Sequence, residues 1–94
     1  MLLRRLADHI RNVTFEALPS EAVAMAKDGI LDTIGVTLAG AQEETTAIVR
    51  RALRQTAAPG PALIFGGSER LDVLSAALIN GVAAHALEDR KSVV

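Results

Sequence analysis

His85 and Glu88 stand three residues apart near the C-terminus, with Asp89 beside them. On a helix that spacing puts the imidazole and the carboxylate one turn apart on one face. Such a pair can ligate a metal or share a proton as an acid–base couple. The other histidine, His9, falls on a different segment and there is no cysteine, so a three-ligand zinc site lacks a third member and no metal is expected. The spacing alone also fits a plainer role. In that role His85 is a core-edge histidine satisfied by a backbone carbonyl, and Glu88 is a solvated helix end.

The remaining candidates are weaker. Asp28 and Asp32, four residues apart with Glu21 nearby, could pair as an acid and a base, but they lie opposite an apolar stripe and read as a solvated acidic face. Arg50, Arg51 and Arg54 could grip phosphates, yet no tyrosine or tryptophan interleaves them, and a solvated helix face is the expectation. Gly66-Gly67-Ser68 lacks the spacing of a phosphate loop and reads as a linker, so no nucleotide cofactor is expected.

Four helical segments and one extended piece would position these groups. Over Leu2–Val13, the residues Leu2, Leu3, Leu6, Ile10 and Val13 share an arc opposite Arg4, Asp8 and Arg11, which predicts an amphipathic helix with one buried side. Pro19-Ser20-Glu21 opens a second helix reaching about Ala39, with Gly40 as its stop and Val23, Ile30, Ile34 and Leu38 as its main stripe. A third, from about Gln42 to Ala57, places acids first and arginines last, matching the helix dipole, and buries Ile48, Val49, Ala52 and Leu53. Pro59-Gly60-Pro61 ends it, and Ala62-Leu63-Ile64-Phe65 reads as extended. The fourth helix spans about Leu71 to Leu87, with Leu71, Leu74, Leu78 and Val82 on one side. Asn80-Gly81 would be a hairpin turn between strands, but its alanine-rich flanks favour helix.

The 94 residues make one small domain at most, half apolar and with 17 alanines but only 2% aromatics. That excludes a disordered tail and a disulfide scaffold. A formal net charge of −1 advertises neither a nucleic-acid partner nor an anionic membrane. No signal-peptide stretch opens the chain, and the longest uncharged run, Val73 to Leu87, is too short to span a bilayer. The expectation is a soluble, cytoplasmic protein. A last helix apolar on all sides must be surrounded, and a chain this short has little with which to wrap it. The expected fold is therefore all-α, a fragment of a larger helical domain completed by more chain or by a partner subunit.

Several stretches, read in order, resemble the MmgE/PrpD family. They are Leu6-Ala7-Asp8, Leu18-Pro19, Ala26-Lys27-Asp28, Leu31-Asp32-Thr33-Ile34-Gly35-Val36, Leu38-Ala39-Gly40-Ala41 and, most tellingly, Ala76-Ala77-Leu78-Ile79-Asn80-Gly81-Val82-Ala83-Ala84-His85-Ala86-Leu87. The resemblance covers residues up to 88, the N-terminal portion of the family's helical domain, and leaves 89–94 as a divergent tail. It implies metal-independent lyases or isomerases of small di- and tricarboxylates, such as 2-methylcitrate dehydratases, needing no cofactor and usually paired as homodimers. Their active site lies between a large helical domain and a smaller α/β domain.

In the family the Asn-Gly to Ala-His stretch runs into Asp-Phe-Asp-Asp-Thr, whose first aspartate is a proton-transfer candidate. Glu88 stands at that position here, which makes it the implied catalytic residue, with His85 the implied substrate-binding residue. Asp89-Arg90-Lys91-Ser92 departs from the remainder of the motif, with Ser92 at the threonine position. The expectation is a truncated, inactive family member. The alternative from another class is a small helical interaction protein that offers its exposed apolar faces to a partner.

Overall fold

The computed structural model describes residues 1–93, with side chains to Glu88. Among these residues it is mainly helical, with four α-helices and one two-stranded sheet. The expected tail at 89–94, including Asp89 and Ser92, lies outside the described side chains. The backbone of the last helix is nevertheless continuous to Val93. The chain forms two compact units, Met1–Ile30 and Leu31–Val94.

The first unit holds α1 (Leu2–Asn12), a short 3-10 turn (Phe15–Ala17) and the beginning of α2 (Ser20–Gly40). His9 and Arg11 in the last turn of α1 suit the negative end of its dipole. Pro19 stands just outside α2, and its carbonyl accepts the first helical bonds from Ala22 and Val23 at 3.0 and 3.2 Å. The expected buried side of α1 is not buried within this unit. Leu2 and Leu3 are 81% and 76% exposed, and Leu6, Ile10 and Val13 are exposed as well.

The second unit is built on a different logic. Beyond Ile30, α2 turns Val36, Thr37 and Gly40 inward, and leaves Ile34 and Leu38 exposed. The inward side is thus not the expected main stripe, of which Ile34 and Leu38 are exposed. Small and hydroxyl residues allow close helix contact there, and the buried Thr37 hydroxyl satisfies itself by donating to the Thr33 carbonyl at 2.6 Å. Gly40 is needed for close approach rather than as a left-handed stop: a Cβ on it would overlap the Ala83 carbonyl. Gly66 is the one glycine described with positive φ.

Helix α3 (Glu44–Leu53) comes after a short turn and is tied to the end of α2 by Thr46, whose hydroxyl donates to the Gly40 carbonyl at 2.7 Å. It is shorter at both ends than expected. Of its predicted arc, Val49 and Leu53 pack on the core while Ile48 is exposed. The extended piece begins and ends earlier than the expected Ala62–Phe65: it is β1 (Pro59–Leu63), one arm of an antiparallel hairpin with β2 (Arg70–Leu71). A register shift between Pro59 and Ala62 accommodates two prolines that have no N–H to give the ladder. The connecting turn is closed by the Gly67 N–H donating to the Ile64 carbonyl at 3.1 Å, with Gly66 at φ +82° in its third position, where a type II turn needs positive φ.

The last helix, α4 (Val73–Val93), contains Asn80-Gly81 in its interior, so no strand flanks that pair. Its buried line is Ala76, Ile79, Ala83 and Ala86, whereas Leu74 and Leu78 face outward. Ile64, Ala76 and Ile79 form the centre of the core, with Val49, Leu53, Ala62 and Leu71 packed around them.

Candidate functional site

Three polar anchors fix the start and middle of α4. Asp72 caps its N-terminus: Oδ2 accepts from the Ser75 N–H and Oδ1 from the Ala58 N–H, both at 3.0 Å. Those backbone bonds, with the Ser75 hydroxyl adding to them, hold the Asp72 carboxyl below its ordinary value. Two turns on, Asn80 clamps the hairpin turn. Its Oδ1 accepts from the Phe65 N–H and its Nδ2 donates to the Leu63 carbonyl, each at 3.0 Å. Arg50 of α3 donates from Nη2 to Glu69 Oε1 at 2.7 Å, tying α3 to the loop before β2. Sequence reasoning missed all three. Only the first had a local signal, an acid with a serine three residues on, as a helix cap requires.

With α4 so placed, His85 and Glu88 lie on one face as the spacing predicts. His85 Nδ1 stands 3.4 Å from Glu88 Oε2, and the two side chains are 72% and 78% exposed. The core-edge role for His85 is therefore corrected: its partner is a carboxylate at long range in water, not a backbone carbonyl. Such an exposed pair contributes about 0–1 kcal/mol. Its chemical content lies in orientation. With Nδ1 directed to Glu88, Nε2 is the ring nitrogen left open to a ligand. The imidazole also borders a groove of about 410 Å³ between α3 and α4, lined by Thr45, Val49, Ala77, Leu78, Gly81 and Val82. His85 is the one ionisable residue among those walls. Asp28 and Asp32 are exposed on α2, as a solvated face requires. Among the described residues, no group of three or more His, Cys, Asp or Glu converges where a metal ion could be held. Nor is any described helix long and apolar enough to cross a membrane.

A mainly helical domain with an Asn-Gly to Ala-His stretch running along its last helix, and an acid one turn beyond, defines the class. The chain belongs to the MmgE/PrpD family: the model of the MmgE/PrpD N-terminal domain matches residues 4–90. No curated protein and no solved structure matches it significantly.

Proposed function

We propose that the chain carries the helical, N-terminal part of a lyase or isomerase of small di- and tricarboxylates, of the 2-methylcitrate dehydratase type. In this reading Glu88 transfers a proton and His85 binds a substrate carboxylate. The observation that carries it is the family match over residues 4–90, a span that includes both Glu88 and its neighbour His85. Eliminating water from a hydroxy-tricarboxylate removes a proton from the carbon next to a carboxylate and a hydroxyl from its neighbour. A base must take the proton, an acid must deliver one to the departing hydroxyl, and cations must hold the carboxylates in one geometry. Glu88 can serve the first role, and a protonated His85 can offer Nε2–H to a carboxylate.

One carboxylate and one imidazole do not make the whole constellation. The 94-residue chain is therefore inactive by itself, and completes its site with further chain or in a homo-oligomer, in the cytoplasm. A second reading is favoured by the large exposed side chains of Leu2, Leu3, Leu74 and Leu78. In it, the chain is a helical interaction protein whose apolar faces take a partner.

The test is an NMR titration of the chain with citrate, run beside turnover assays on 2-methylcitrate and cis-aconitate. The expected result is a saturable shift of the His85 imidazole signals that is weakened in Glu88→Gln, with no turnover. Unmoved His85 signals would remove the site assignment, and measurable turnover would remove the claim of inactivity. Light scattering across a concentration series tests the second reading, which needs a stable species with defined stoichiometry.

A further inference from the structure

The end of α3 presents a second polar feature, unrelated to His85. Ala47, Arg50, Arg51 and Arg54 are spaced i, i+3, i+4 and i+7, so they occupy neighbouring positions on one side of the helix. The methyl-sized Ala47 leaves room among the arginine stems, and the four residues line a hollow of about 240 Å³. We propose that this hollow binds a small oxyanion carrying two or more charges, either a phosphate group or a compact polycarboxylate. The inference is independent of the lyase reading.

Charge is the first argument. Three guanidinium groups border the hollow, and Glu69 neutralises one of them through the 2.7 Å contact with Arg50. Among the described residues Arg51 and Arg54 have no carboxylate partner, so two positive charges are left to repel each other at neighbouring helix positions. A dianion removes that repulsion. The carbonyl end of α3 opposes an anion, but its dipole is worth about half a charge against two.

Preorganisation is the second argument. Arg50 is held before any ligand arrives, by Glu69 and by the wall of the loop. A Cβ added at Gly67 would come within 3.1 Å of Arg50 Nη2, so the glycine makes space for the guanidinium. A fixed planar fork loses less freedom on binding an oxyanion than a free lysine would, and arginine can meet two oxygens at once.

The test follows the backbone amides of Ala47–Arg54 by NMR while inorganic phosphate, or citrate in a separate arm, is added at constant ionic strength balanced with chloride. Saturable shifts centred on α3 are expected with at least one of the two. The arm that saturates identifies the anion. In R51A/R54A the affinity falls by about tenfold or more, while R4A/R5A, which removes the same two charges from α1, changes it by less than about twofold. R51K/R54K keeps charge and helix but loses the fork, and binds with intermediate affinity. The proposal is overturned if neither anion produces saturable shifts along α3, whatever happens at His85, or if both alanine pairs weaken binding equally.

Discussion

The two units of the chain treat the same kind of residue in opposite ways. Between Met1 and Ile30, α1 sorts its leucines and Ile10 onto one side and its charges onto the other, yet none of its residues is buried. From Leu31 onward the sorting is much less regular, and a core nevertheless forms around Ile64 and Ile79, each 1% exposed. Amphipathic periodicity thus reports a face that gains from cover, and does not say that the same unit provides the cover. In the second unit the inward faces are made of Thr37, Gly40, Ala76, Ala83 and Ala86, because small residues let helical backbones approach. The larger Leu74 and Leu78 are left outside.

The largest expected effect probes this contrast directly. Ile79→Ala empties a site with no room to collapse and lowers the unfolding free energy by about 3–4 kcal/mol. Ile10→Ala, at a side chain 64% exposed, changes it by less than about 0.5 kcal/mol. Chemical denaturation of both variants at low protein concentration checks the pair. Equal losses would break the comparison and show that α1 is covered in solution.

Two glycines of α2 sharpen it further. Gly40 lies against the Ala83 carbonyl, and neither backbone can yield, so Gly40→Ala destabilises by about 2–3 kcal/mol. At Gly35 a Cβ meets nothing within 4 Å, and Gly35→Ala stabilises by about 0.5–1 kcal/mol through the lower chain entropy of alanine in a helix. Opposite signs in thermal melts, five residues apart on one helix, are the expected result. A loss at Gly35 would mean that its open side is occupied in solution.

The helices themselves were legible because proline, glycine and the order of charges punctuate them. Pro19 marks the start of α2, and Pro59 to Pro61 mark the passage from α3 into the hairpin. Their inward faces were harder to read. In α2 and α4 apolar residues occur all round, so periodicity does not choose between Leu78 and Ile79, and the choice is made by how closely a neighbouring backbone can come. The partner strand β2 is only two residues long and carries no pattern of its own. At the candidate site, the helical spacing of His85 and Glu88 was readable. The groove beside His85 was not, since Thr45 and Val49 reach it from a helix more than thirty positions earlier. The clamps made by Asn80 and Arg50 are likewise contacts between residues distant in sequence.

The smallest effect concerns pH and belongs wholly to the second unit. Asp72 joins α4 to the end of the α3–β1 connection, because one carboxylate accepts from both Ser75 and Ala58. These bonds favour the ionised form and lower the folded-state value below that of the unfolded chain. The unfolded state therefore binds the proton more readily, and the stabilisation is fully present above about pH 4. It is lost as the pH falls through the lower, folded-state value. Asp72→Asn removes the charge and leaves an amide with a single acceptor oxygen, which serves one of the two N–H groups at a time. At neutral pH this variant melts below the parent chain, and the gap closes on acidification because protonation gives the parent the same deficit. A gap that persists unchanged from neutral pH to well below pH 4 would show that Asp72 acts by shape alone, and that the ionised cap does not hold α4 to the hairpin.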